Sequence, residues 1–203
     1  MVSPSAIRDP VTDHLLTPQN CVLAIIDFQP IQVMSESSRD RRVLISNIIA
    51  VARTAKLFEL PVILSTTNVA SGRNAPMIRQ IVEIFPTIEP LDRTALNAWE
   101  DDDFLQAITE TGRKKLVIAG LWTEGCLSLT VLDALAGGYD VYPVVDAIAG
   151  TSLEAHNTAL DRMVQAGAKP TSWAQVVCEL QRDWDRSHTI AEFQEILFAV
   201  EGT

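Results

Sequence analysis

The apolar residues of this chain follow two alternating spacings. In Cys21-Val22-Leu23-Ala24-Ile25-Ile26, Val62-Ile63-Leu64-Ser65-Thr66, Leu116-Val117-Ile118-Ala119-Gly120-Leu121 and Tyr139-Asp140-Val141-Tyr142-Pro143-Val144-Val145 they are nearly continuous. A strand covered on both faces needs no polar alternation, so these runs predict buried strands of a parallel sheet. Between them the spacing turns helical. Val43, Leu44, Ile48, Val51, Ala55 and Phe58 mark a helix within 41–60, and Leu127, Leu129, Val131, Leu132 and Leu135 mark another from Glu124 to the stop at Gly137-Gly138. Asp101-Asp102-Asp103 ahead of Phe104-Leu105-Gln106-Ala107-Ile108 predicts a helix start with negative charge at the positive end of its dipole, and Gly112 closes it. Further on, 153–166 predicts a helix ended by Gly167, and 168–171 a short edge strand. Amphipathic helices follow at 173–184 and 189–200, the first with Trp173, Val176, Val177, Leu180 and Trp184 along one face. Strands alternating with helices, without an internal repeat, define an α/β fold with three layers, α/β/α, around a doubly wound, mainly parallel, Rossmann-like sheet.

Two segments stand outside this rhythm. Residues 1–19 are polar with Pro4, Pro10 and Pro18, and predict an arm lying over the domain or over a neighbouring subunit, which leaves 20–203 as a single domain. Residues 67–90 hold Gly72, Pro76, Pro86 and Pro90 around a short helical run at 77–84, and predict a loop-rich wall beside a site. With 203 residues and 47% hydrophobic content, the chain can bury one core, and no compositional break suggests a second. A net charge of −10 argues against a nucleic-acid partner, and the densest basic run, Arg39-Asp40-Arg41-Arg42, reads as the solvated face of a helix. No apolar stretch reaches membrane-spanning length, and the first residues lack the apolar centre of a signal peptide. Three cysteines without paired spacing fit a reducing compartment, so the expected location is the cytoplasm.

Candidate chemistry lies where predicted strands end. Asp27 follows the first strand, and Cys126 sits at the junction between the 116–121 strand and the helix after it. Both belong to the carboxyl edge of the sheet, where ligands bind in such folds, and a helix amino terminus favours a thiolate. A cysteine and an aspartate so placed can act as nucleophile and base. Each also has a plain structural reading: free cysteine is often buried as packing, and an acid at a strand end can cap a helix or satisfy a turn. Cys21 and Cys178, inside apolar segments, read as packing residues. The acidic triplet reads as capping rather than as a cation site, and His14, His156 and His188 are too scattered for a metal. His156 is a competing base for Cys126, although its place inside a helix favours a surface or structural role. A nucleotide-binding oxidoreductase is disfavoured because Asp27-Phe28-Gln29-Pro30 stands where a glycine-rich phosphate loop would follow the first strand.

Three segments carry a family likeness: Ala24-Ile25-Ile26-Asp27-Phe28-Gln29-Pro30, Thr94-Ala95-Leu96-Asn97-Ala98-Trp99, and Ile118-Ala119-Gly120-Leu121-Trp122-Thr123-Glu124-Gly125-Cys126, with a further match over 166–184. In these the chain resembles the isochorismatase-like cysteine hydrolases, in their YcaC-like branch. The resemblance implies that Cys126 attacks a carbonyl carbon, that Asp27 is the acid/base, and that a lysine completes the triad. Counting back from Asn97-Ala98-Trp99, the lysine position holds Arg93, which stays charged and can balance Asp27 but cannot exchange a proton. The resemblance also implies an oxyanion turn over Trp122, Thr123 and Cys126, with a non-proline cis peptide at Trp122-Thr123. Phe28, Gln29, Trp99, Trp122 and Ile148 are the expected pocket walls. Metal-binding nicotinamidases of the family carry histidines that Ser65-Thr66-Thr67-Asn68 lacks, so no metal or other cofactor is expected. The expected function is hydrolysis of a C–N bond in a small amide or related acyl compound through a thioester, by a homo-oligomer that could be an octamer, with neither nucleic acid nor membrane as partner. The alternative, motivated by Arg93, is a non-catalytic oligomeric binding or stress-associated protein that keeps the fold.

Overall fold

The structure, a computed structural model, describes residues 9–199. Five strands form one parallel sheet: β1 (Cys21–Ile26), β2 (Val62–Thr67), β3 (Leu91–Arg93), β4 (Lys115–Gly120) and β5 (Asp140–Pro143), in the order β3-β2-β1-β4-β5. Starting in the middle and winding outward both ways places a topological switch between β1 and β4, beyond whose carboxyl ends sheets of this kind form their ligand crevice. The two strands end level: Ile26 pairs with both Ser65 of β2 and Gly120 of β4. Gly120 permits the close approach, because a Cβ there would stand 3.1 Å from the Ile26 Cβ and 3.2 Å from the Ile26 carbonyl oxygen. Every residue of β1 and β4 is buried, which is why both strands read as apolar runs without alternation.

The helices are α1 (Pro30–Ser35), α2 (Arg41–Leu57), α3 (Arg79–Val82), α4 (Asp102–Glu110), α5 (Ser128–Ala136), α6 (Leu153–Gln165), α7 (Trp173–Gln181) and α8 (Ile190–Ala199). Side chains cap four of them, α2, α4, α6 and α7. The Asp101 carboxylate accepts from Phe104 N at 3.0 Å with Asp102 and Asp103 in the first turn, so the acidic triplet is a helix start. Asp40, Ser152 and Ser172 do the same for α2, α6 and α7, each cap contributing about 1 kcal/mol. α2 packs with α7 and α8, and α5 packs with α6 and with the short 98–100 turn before α4. Among the described residues no helix is long and apolar enough to cross a membrane.

Several elements differ from expectation. β3 is three residues, Leu-Asp-Arg, too short and polar to show as an apolar run. The expected edge strand at 168–171 makes one bridge, Thr171 to Val144: Lys169 N and Thr171 N donate to the Val141 and Pro143 carbonyls, but Pro143 has no N–H to donate back to Lys169 and extend the ladder. α7 ends at Gln181, where Arg182 adopts a positive φ of 61°, so Trp184 leaves the helix and packs edge-on to Phe193 at 5.2 Å. Cys178 is exposed on the outer side of α7, opposite Val176, Val177 and Leu180, and is not a packing residue. The described part of the arm lies on the same chain. The Lys115 ammonium donates to the Asp13 and Leu15 carbonyls, the Arg182 guanidinium donates to the Leu16 carbonyl at 3.0 Å, and Leu16 N donates to Glu179 at 2.7 Å. Residues 1–8 of the expected arm and Val200 of the expected last helix lie outside the described residues.

Candidate active site

Asp27 leaves β1 with a positive φ of 57°, a left-handed conformation that aspartate tolerates better than most residues. Its backbone is pinned on both sides, since Asp27 N donates to the Ser65 carbonyl at 2.9 Å and the Asp27 carbonyl accepts from Gln29 N at 2.7 Å. The carboxylate, fully buried, meets Arg93 from the end of β3. Nη1 donates to Oδ1 and Nη2 to Oδ2, both at 2.7 Å, an end-on fork with matched geometry. Nη1 also donates to Ser65 Oγ at 3.0 Å and to the Thr66 carbonyl at 3.1 Å, and Nη2 to the Leu96 carbonyl at 3.3 Å, while the buried Nε has no partner. Burial opposes the charge on Arg93, but hydrogen bonding and the charge of Asp27 outweigh it and raise the guanidinium pKa. Two buried ions thus neutralise each other within the crevice.

Cys126 approaches from β4. After Gly120 the chain does not enter α5 directly; it makes a wide π turn, Thr123–Leu127, and α5 starts at Ser128. The Cys126 carbonyl accepts from Thr130 Oγ1 at 2.7 Å, and the same hydroxyl accepts from Ala98 N at 3.0 Å. Asn97 Nδ2 donates to Asp133 Oδ2 at 2.6 Å, so two side chains of α5 tie the segment after Arg93 to the nucleophile turn. Thr130 and Asp133 were missed in the sequence because only their i+4 and i+7 spacing from Cys126 marks them, and many surface residues share it. Cys126 is 6% exposed. Burial, then the Asp27 charge and hydrogen bonding to that carboxylate, push its pKa up to about 12, against a lowering pull from Arg93. The resting group is therefore a neutral thiol rather than the thiolate expected at a helix start. Desolvation and the adjacent carboxylate win because the cysteine sits ahead of α5 rather than on its first exposed amide.

The cis peptide is Leu121-Trp122, one bond earlier than expected. Leu121 N donates to the Ile26 carbonyl at 3.1 Å and Thr123 N to the Ala149 carbonyl at 2.9 Å, so the chain reverses between two anchored amides. The Thr123 amide is thereby spent, leaving the amides of Trp122 and Cys126 as the oxyanion candidates of that turn. Among the expected pocket walls, Trp122 is half-buried and its indole N–H donates to Ser35 Oγ at 3.1 Å. The Gln29 amide is committed to Thr67 and Ala75, and Phe28 and Ile148 are fully buried core residues. Trp99 packs edge-on to Tyr139 at 5.1 Å and against Gly137, beyond the far end of α5. The Trp99 ring thus packs at the carboxyl end of α5, while the residue before it, Ala98, is tied through Thr130 to the Cys126 carbonyl. His156, expected to be a surface or structural residue, is buried, and its Nδ1 lies 2.9 Å from Thr123 Oγ1. Among the described residues no cluster of His, Cys, Asp and Glu is arranged to hold a metal ion.

A doubly wound parallel sheet with a thiol beside an ion-paired carboxylate at its switch point places the chain among three-layer, Rossmann-like α/β/α proteins. The chain belongs to the isochorismatase family, whose domain matches residues 21–175. It is similar to the probable hydrolase YcaC of Escherichia coli K12, 40% identical over 140 residues that make up 68% of this chain and 67% of the relative. The solved structure of YcaC from Pseudomonas aeruginosa, with hexane-2,5-diol and covalent acrylamide, superposes with a TM-score of 0.86 at 34% identity, covering 92% of this chain and 91% of that one. The crystal structure of Escherichia coli YcaC, described as an octameric hydrolase of unknown specificity, gives a TM-score of 0.82 at 31% identity, covering 93% and 97%.

Proposed function

We propose that this protein is a cysteine amidohydrolase that cleaves the C–N bond of a small amide or related acyl compound. The observation that carries the reading is the buried Cys126 thiol, held at a pKa of about 12 beside an Asp27 carboxylate that Arg93 fixes through both oxygens. Such a thiol needs its base at hand, because little thiolate stands ready at neutral pH. Cys126 Sγ attacks the carbonyl carbon as its proton passes to Asp27, and the carbonyl oxygen takes the electron pair under the amides of Trp122 and Cys126. Collapse breaks the C–N bond while Asp27 returns the proton to the leaving nitrogen. Water then attacks the thioester with Asp27 again accepting a proton, which goes to the departing sulfur. Arg93 moves no proton; it orients Asp27 and balances its charge through the cycle.

The covalent acrylamide of the Pseudomonas aeruginosa relative supports the reading, since an amide-bearing electrophile is captured there. The octamer of the Escherichia coli relative supports assembly of this chain as a homo-oligomer. Free cysteines fit work in the cytoplasm. The test is a panel of small amides and esters assayed with the wild type and with Cys126→Ala. Turnover abolished by the substitution, with an acyl adduct on Cys126 in the intact-mass spectrum of the wild type, is the expected result. Equal turnover in both proteins would overturn the mechanism.

A further inference from the structure

The nucleophile turn is held from behind by groups that take no part in the chemistry above. α6 directs His156 into the protein, and its Nδ1 meets the Thr123 hydroxyl at 2.9 Å in a buried contact. The neighbouring loop closes on the same turn. Leu121 bridges to Ala149, Thr123 N donates to the Ala149 carbonyl, and Thr151 N donates to Glu124 Oε1 at 2.9 Å. Gly150 lies between the two holds: a Cβ there would collide with Glu124 Oε2 and stand 3.1 Å from the His156 Cβ. Burial, then the charge of Arg39, lower the His156 pKa while Glu124 opposes them, so the imidazole is neutral at pH 7. With its proton on Nε2, Nδ1 accepts from the Thr123 hydroxyl. Thr123 stands between Trp122 and Cys126, whose amides are the oxyanion donors of the proposed mechanism. Its own amide and hydroxyl are both engaged, with the Ala149 carbonyl and with His156, so these holds fix the backbone between the two donors.

We propose that His156 is a positioning residue for the reaction: by holding the Thr123 hydroxyl it fixes the turn that aims the Trp122 and Cys126 amides at the oxyanion. The inference rests on the cysteine hydrolase reading and assigns His156 a part distinct from base or ligand. An oxyanion donor moved out of line loses most of its worth, because the interaction depends on geometry set before the reaction starts.

Two reactions of the same thiol separate this role from general damage. Acylation of Cys126 by p-nitrophenyl acetate passes through an oxyanion, whereas alkylation by iodoacetamide does not. His156→Ala is expected to slow acylation about tenfold or more while alkylation stays within about twofold. His156→Asn, which keeps an acceptor near the Nδ1 position, restores most of the acylation rate. Thr123→Val, which removes the hydroxyl from the other side of the contact, reproduces the loss and adds little to His156→Ala in the double variant. Equal slowing of both reactions, no slowing of either, or no rescue by asparagine would overturn the positioning role while leaving the cysteine mechanism intact. A wild type alkylated at Cys126 but never acylated there would overturn both.

Discussion

Arg93 and Asp27 close a two-point fork inside the protein, each guanidinium nitrogen 2.7 Å from its own carboxylate oxygen and both side chains without exposed surface. Removing one member leaves the other charged and unpaired in a dry site. Arg93→Leu is therefore expected to lower stability by about 3–5 kcal/mol, read as a fall in the urea midpoint at unchanged slope. Arg93→Lys keeps the charge but offers a single point contact, so a smaller loss is expected. If Arg93 serves only to balance charge, amide turnover in Arg93→Lys stays within about tenfold of wild type; a large gain would show that a proton-exchanging lysine was the missing part.

Asp27→Asn is expected to have opposite effects on thiol acidity and on turnover. The Asp27 charge is one of the causes that hold the Cys126 pKa near 12, so its removal lets the thiolate form at lower pH while hydrolysis is lost with the base. The pH profile of Cys126 alkylation, followed by mass spectrometry, reads the shift. An unchanged profile would detach Asp27 from the thiol.

Alkaline solution should loosen the fold. Cys21 and Cys126 both have pKa values raised by burial from an ordinary 9.0 to about 12. The protonated form is favoured in the folded state, so the stability these thiols contribute is fully present below pH 9 and is lost as pH rises towards 12. Each group contributes a slope of about 1.4 kcal/mol per pH unit within that window. Urea midpoints falling between pH 8.5 and 10.5, with the fall reduced in Cys21→Ala, would bear this out.

Thr130→Val should act on the scaffold. It removes the hydroxyl that accepts from Ala98 N and donates to the Cys126 carbonyl, leaving a buried amide unpaired. The expected cost is about 1–3 kcal/mol, with the rise in KM or fall in kcat reporting how far the turn moves.

Trp99→Ala separates support from substrate contact. Because Trp99 packs on Tyr139, Phe104 and Gly137, a loss of about 2–4 kcal/mol in stability is expected with kcat/KM changed by less than about twofold. A selective loss of substrate affinity would return Trp99 to the pocket.

What could be read from the chain follows burial. β1 and β4 are covered on both faces, so their composition announces them, and the residues placed just beyond their ends, Asp27 and, past the turn, Cys126, come with them. Arg93 was reached by its distance from Asn97-Ala98-Trp99 rather than by pattern, because β3 is too short to have one. The π turn, the earlier cis bond and the Thr123–His156 contact arise between segments far apart in sequence and leave no periodic trace. An aromatic residue near a site segment looks the same in the sequence whether it faces ligand or core, so the packing of Trp99 on Phe104 and Tyr139 was not legible there.

Cys178 decides how thiol chemistry on this protein is to be done. It is the exposed cysteine, on the outward side of α7, while Cys21 and Cys126 are buried. A bulk thiol titration will count the helix surface first, and a dye added in limiting amount will mark it rather than the crevice. Replacing Cys178 with serine silences that background and leaves Cys126 as a reporter. Kept in place, Cys178 offers an attachment point for a fluorophore or a solid support that spends no part of the crevice.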